Sequence, residues 1–164
     1  MKLHHLLVVK PNDGFGGKGV YLCKSVEEVF KNMDVIFERN TSLSICPYYE
    51  VEVEYRVIML DGEAKLVFGK KQAPGNWKCN LSQGASVVPV EEDLKETLVD
   101  LAQKAVEAIG IRFASVDMIR VKTGEILVME VNSGVTIHKY TNFVKNGREI
   151  AKKIYREAIL KMLS

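Results

Sequence analysis

The sequence is poor in the residues that mark many functional classes. It holds three cysteines in 164 residues, Cys23, Cys46 and Cys79, odd in number and widely spaced. They fit neither a disulfide framework nor a zinc motif, so buried free thiols in a reducing compartment are expected. No apolar run approaches the length of a membrane span. The start, Met1-Lys-Leu-His-His5, lacks the charged, apolar and cleavage regions of a secretory signal, and a cytoplasmic location is expected. A formal net charge of +2 gives no electrostatic reason for a nucleic-acid or membrane partner. There is no internal repeat and no low-complexity tract. Histidine is scarce: His4 and His5 read as strand residues that could act as ligands, and His138 reads as a loop residue. No Ser-His-Asp or Cys-His arrangement stands out.

Apolar residues make up 47% of the chain, enough for a core. The length suits one domain or two small lobes, and residues 1–62 and 63–164 are the expected division. Strands are expected at 5–10 and 20–23. Ser25 with Glu28 three residues on forms a capping box before a helix carrying Val26, Val29, Phe30, Met33 and Phe37. Residues 43–46 and 51–60 look extended, and Asp61-Gly62 is a hairpin turn leading into 63–71. Residues 72–83 read as a loop. Leu94, Leu98, Leu101, Ala102, Ala105 and Ile109 share one side of a helix over 91–109 that Gly110 stops. A last helix over 147–163 turns Ile150, Ile154, Ala158 and Met162 inward. The order predicts a mixed α+β fold with antiparallel sheets.

The most informative pair of strands is Phe113–Lys122 and Glu125–Asn132, joined by Thr123-Gly124, a step that reads as a tight hairpin. In that register Asp117 lies directly opposite Glu130, with Asn132 further along the same face. Opposed Cβ atoms in a sheet are ~5 Å apart, where two like charges repel by about 3 kcal/mol at an effective dielectric near 20. A divalent cation would turn that cost into a site, since three hard oxygen ligands suit Mg²⁺ or Mn²⁺. The alternative is that one carboxylate points to solvent or is protonated.

Two further segments carry chemistry. Lys10 ends a strand just before Gly14, Gly16, Gly17 and Gly19. Glycines let backbone N–H groups crowd an anion, and a lysine adds a point charge for phosphate. A flap between two strands is expected there, with an ordinary hairpin loop as the alternative. In the central hairpin, Glu52, Glu54 and Arg56 fall on one face with Lys71 opposite Glu52, lining a cleft or facing water. Lys71, Lys78 and Asn80 are donors for an anion or simply loop polarity.

Together, Val8–Val20, Glu54-Tyr-Arg-Val57 before Asp61-Gly62, Asn80-Leu-Ser-Gln-Gly84, Val116-Asp117 and Met129-Glu-Val-Asn-Ser133 resemble the ATP-grasp superfamily, in the branch of the ribosomal-protein glutamate ligase and glutathione synthetase-like enzymes. The resemblance implies two α+β lobes with an ATP cleft between them. Lys10 would contact the α- and β-phosphates, and Gly14, Gly16, Gly17, Lys18 and Gly19 would cover the β- and γ-phosphates. Tyr48 and Tyr49 would sit at the adenine hinge, and Glu52, or Glu50, would hold the ribose. Asp117, Glu130 and Asn132 would bind Mg²⁺ or Mn²⁺. Arg56, Lys71, Lys78 and Asn80 would face the γ-phosphate and an acyl-phosphate intermediate. The implied reaction is ATP-dependent carboxylate–amine ligation on a small-molecule or peptide acid and an amine. A kinase of the same fold and a non-enzymatic ATP-binding module are the alternatives. The family's chains normally begin upstream with another domain, so this one is expected to be a fragment, and exposed apolar surface could favour a homo-oligomer.

Overall fold

The computed structural model describes residues 2–14 and 16–163. Phe15, in the Gly-rich segment, and the side chain of His4 lie outside the described residues, while His5 is exposed. Contacts gather into two units, Met1–Glu50 and Val51–Ser164. Both strands flanking the Asp61-Gly62 turn belong to the second.

The first unit is a three-stranded antiparallel sheet in the order β2-β1-β3, with β1 at Lys2–Pro11, β2 at Tyr21–Ser25 and β3 at Leu43–Pro47. Helix α1, Val26–Phe37, follows β2 directly. The Glu28 N–H donates to the Ser25 hydroxyl at 3.3 Å, and Glu28 in turn accepts from the Lys24 N–H at 2.7 Å. This reciprocal capping starts the helix where the sequence places it, with the glutamate reaching one residue further back than the usual box. Val29 and Ile36 then meet Val9 and Cys23 in a small core.

The second unit is a five-stranded antiparallel sheet in the order β6-β5-β4-β7-β8. Its strands are β4 Val51–Leu60, β5 Glu63–Lys71, β6 Ser86–Val88, β7 Phe113–Val121 and β8 Ile126–Asn132. The short β6 lies in a segment with no strand pattern of its own; pairing with Gly69–Lys71 defines it. Gly69 permits that approach, because a Cβ there would stand 2.7 Å from Val88 Cγ2.

Side chains alternate across a strand, and β4 shows the two sides clearly. Val53, Tyr55, Val57 and Met59 pack with Ala114, Val116 and Met118 of β7 under Leu98, Ala102 and Val106 of helix α2, Glu92–Ile109. Burying one such side chain contributes roughly 1.5–3 kcal/mol. Gly110, at φ 68°, ends α2 in the left-handed conformation. On the other side, Ile58 and Phe68 meet Ile137, Tyr140, Ala151 and Ile154, the last two from helix α3, Gly147–Leu163. Met162, expected to point inward, is 54% exposed; α3 runs past the edge of what it covers. The Tyr155 hydroxyl donates to the Val135 carbonyl at 3.0 Å and accepts from the Ile137 N–H at 3.1 Å. It thereby holds α3 to the segment leaving β8.

In the second unit three strand pairs contain a bulge, an extra residue on one strand that shifts the pairing beyond it. The extra residues are Lys65 in β5, Glu52 in β4 and Met129 in β8. A shift of one residue moves every later side chain to the opposite face, and all three bulges bear on the charged face of the sheet.

Candidate functional site

Helix α3 covers only part of its face of the sheet. Beyond Ile58 and Phe68 the same face turns charged, with Glu54 and Arg56 on β4, Lys70 on β5 and Asp117 on β7. Glu54 is the register partner of Lys70, and Arg56 is the partner of Asp117. Arg56 grips Asp117 in a fork, Nε to Oδ1 at 2.8 Å and Nη2 to Oδ2 at 2.6 Å. Lys70 Nζ bonds Glu54 and lies 3.3 Å from Asp117 Oδ1. Lys70 and Asp117 are buried, at 5% and 3% exposure.

Burial alone would raise the Asp117 carboxyl. The charge of Lys70 and the paired Arg56 guanidinium outweigh it and hold that carboxyl below its ordinary value. Burial pushes the Glu54 carboxyl up, against the pull of Lys70. The Arg56 guanidinium is raised, because its hydrogen bonds to Asp117 and the charges of Asp117, Glu54 and Glu130 outweigh burial. Cys79 lies close enough for Glu54 and Lys70 to act on it; its thiol is pushed to about 11, mainly by burial.

Asp117 and Glu130 are register partners, as the sequence indicates, and Ser115 pairs with Asn132. The pair therefore shares one face. Asn132 Nδ2 donates to Glu130 Oε1 at 2.9 Å, and Glu130 is exposed. The exposure of Glu130 fits the alternative in which one of the two carboxylates points to solvent. Arg56 and Lys70 supply the counter-charge to Asp117. No group of three or more His, Cys, Asp or Glu side chains is placed to hold a metal among the described residues. What remains is a carboxylate and an amide oxygen beside Asp117, a hard-oxygen set that fits Mg²⁺ or Mn²⁺ when other oxygen ligands, such as phosphate, complete the shell.

Two register readings are corrected by the bulges. Near the Asp61-Gly62 turn the pairing is as read from the sequence, with Met59 opposite Ala64. Beyond the extra Lys65 it moves by one, so Lys70, and not Lys71, joins the charged face. Lys71 is exposed and pairs with Ser86. Glu52 is itself a bulge residue and leaves the face of Glu54 and Arg56. It meets Arg120 at 3.0 Å, and Arg120 also reaches Glu91 at 3.4 Å and lies 5.9 Å from the Tyr55 ring on the α2 side. Lys70 had no sequence signal separating it from its neighbour; only the bulge distinguishes the two.

Among the other predicted residues of this unit, Lys78 is half-buried 5.2 Å from the centre of the Trp77 ring, and desolvation lowers its ammonium. The Asn80 carbonyl accepts from the Gln83 N–H at 2.8 Å, opening a short 3₁₀ turn. In the first unit, Lys10 is half-buried on β1 opposite Ser44. The Gly-rich segment links antiparallel β1 and β2, as a flap between strands requires. Gly16, Gly17 and Gly19 take φ of 66°, 74° and 71°, which side chains oppose. Gly14 and Lys18 are exposed. The Tyr48 N–H donates to the Leu6 carbonyl at 2.9 Å, Tyr49 is exposed, and Glu50 is exposed next to it.

Residues 1–158 match a family described as the RimK-like ATP-grasp domain. A "Probable alpha-L-glutamate ligase" of Legionella pneumophila is 31% identical over 150 residues, covering 88% of this chain and 48% of that protein. One of the same name from Shewanella halifaxensis is 30% identical over 129 residues, covering 77% of this chain and 28% of that protein. The chain thus spans half or less of the length of these curated relatives. Among solved structures, D-alanine–D-alanine ligase from Bacillus anthracis complexed with ATP superposes with a TM-score of 0.62 at 27% identity, covering 79% of this chain and 42% of that one.

Proposed function

We infer, for a chain that belongs to the RimK-like ATP-grasp domain family, that it is the nucleotide-handling part of a cytoplasmic ATP-dependent carboxylate–amine ligase. ATP-grasp ligases use ATP, and relatives of this chain bear the name glutamate ligase. The observation that carries the reading is the pairing of Asp117 with Glu130, and of Asn132 with Glu130, on the face that also holds Arg56 and Lys70. Phosphoryl transfer asks for positioned charge rather than a protein nucleophile, and that face is a set of positioned charges.

In this reading a carboxylate oxygen of the acid attacks the γ-phosphorus and ADP leaves. An amine then attacks the acyl carbon, and phosphate leaves as the amide forms. Lys10 and the N–H groups of the Gly14–Gly19 flap neutralise nucleotide phosphates. Tyr48 and Tyr49 receive the adenine, and Glu50 the ribose in preference to Glu52, which turns to Arg120 on the α2 side. Arg56, Lys78 and Asn80 face the transferred phosphoryl group, with Lys71 at the rim. Asp117, Glu130 and Asn132 hold Mg²⁺ or Mn²⁺, which when bound supplies neutralisation of phosphate oxygens. The amine, the acid and an upstream domain of the same protein are the proposed partners.

Thermal unfolding with and without Mg-ATP tests this. A rise in Tm is expected for the parent and is lost in Glu130→Ala. An equal rise in both removes the metal assignment, and no rise in the parent removes the nucleotide reading. With acid, ATP and hydroxylamine, a hydroxamate marks ligase chemistry; its absence alongside ADP release favours a kinase.

A further inference from the structure

Lys70 has a place in the charged face that the reaction described above does not use. Its ammonium sits between the buried carboxylate of Asp117 and the half-buried one of Glu54. It holds Glu54 closely and Asp117 loosely, at 3.3 Å. Asp117 Oδ1 already accepts from Arg56 Nε at 2.8 Å, so the oxygen that Lys70 shares has both lone pairs engaged. A divalent ion that takes Asp117 Oδ1 as a ligand must displace one of these donors, whereas Oδ2 accepts from Arg56 Nη2 alone. The Arg56 fork makes two short bonds and resists displacement. The Lys70 contact is the longest on that carboxylate, and Lys70 keeps Glu54 if it lets go.

We propose that Lys70 is a positioning residue that stands in for the divalent ion at Asp117. It neutralises the buried carboxylate while no ion is present and swings onto Glu54 alone when one binds. Glu54 is then the resting place that keeps a released ammonium buried without an unpaired charge. The proposal rests on the assignment of Asp117, Glu130 and Asn132 as the metal ligands. A lysine serves here because its single flexible ammonium can change partners, where a guanidinium fork would be held.

The test is Mn²⁺ alone, titrated into the protein and followed by the EPR signal of free Mn²⁺. The parent is compared with Glu130→Gln, Lys70→Met/Glu54→Gln and Lys70→Arg. The double variant removes both charges together, so no buried ion is orphaned, and circular dichroism checks that it is folded. Removing the competitor should tighten Mn²⁺ binding about tenfold or more. A residue that merely supported the fold would weaken binding when removed, so the direction is itself diagnostic. Lys70→Arg, which restores a cation that is harder to displace, should bind no more tightly than the parent. Loss of binding in Glu130→Gln with unchanged affinity in the double variant overturns the Lys70 proposal and leaves the metal site standing. Unchanged binding in Glu130→Gln, or no binding in either the parent or the double variant, overturns both.

Discussion

At one end of the β4–β5 hairpin, Glu54, Lys70, Arg56 and Asp117 share a buried network. At the other, around the Asp61-Gly62 turn, Asp61 pairs with Arg112 and Lys161, and Lys65 pairs with Glu63 and Glu157. The chemistry is the same at both ends: lysine and arginine against carboxylates. The surroundings differ. The turn network is more open to water, with the side chains of Arg112 and Glu63 exposed and those of Asp61, Lys65, Glu157 and Lys161 partly so, and pairs of that kind contribute less and are screened by salt. The buried network must repay the desolvation of four charges, and apolar residues of similar volume would often do as well or better for stability. Keeping four charges there is in line with the proposed site lying at this end of the hairpin.

The comparison can be broken hardest at Asp117. Asp117→Ala orphans Arg56, while Lys70 keeps Glu54, and should cost about 3–5 kcal/mol in urea unfolding; a cost near that of a surface substitution would mean the network is already hydrated. Lys70→Met should be nearly as damaging, while adding Glu54→Gln should recover part of the loss, a coupling of about 1–3 kcal/mol in a double-mutant cycle.

Acid sharpens the contrast further. The Asp117 carboxyl is held below its ordinary 3.8. Its ionised form therefore contributes stability that is complete above that value and is lost only as pH falls through the depressed one. Glu54 is raised above its ordinary 4.5, so it takes up a proton first on acidification, and stability gains from that uptake between its raised value and 4.5. Carboxyl ¹³C titration should show Glu54 protonating well before Asp117. The reverse order would contradict the burial of Glu54 beside a buried partner. The smallest effect is expected at the turn: Arg112→Ala should leave the urea midpoint almost unmoved, and high salt should erase what shift there is.

Strand and helix positions were legible in the sequence wherever a period or a punctuation residue spoke. The Asp61-Gly62 turn forms with φ of 50° and 78° at its two residues, as a tight hairpin asks. Bulges were not legible, because an extra residue leaves no compositional trace. At β4–β5 that hid Lys70 behind Lys71, and at β4 it put Glu52 on the wrong face. At β7–β8 two misreadings cancelled. The loop is one residue longer than a Thr-Gly step, closing between Val121 and Glu125, and the extra Met129 restores the register. Asp117 and Glu130 thus face each other for a reason the sequence argument did not contain. The counter-charges on Asp117 were also missed, since Arg56 lies on a strand distant in sequence and Lys70 was out of phase.

Lys65 decides which of two adjacent lysines enters the sheet interior. Its own side chain is tied down by Glu63 beside it and by Glu157 from α3. The C-terminal helix therefore does more than roof an apolar patch: it pins the spacer that keeps β5 in phase. Ironing out that bulge, so that Lys65 paired with Ile58, would leave the turn and the composition of the strand untouched, yet would set Lys70 opposite Val53 and take it off the face of Glu54 and Arg56.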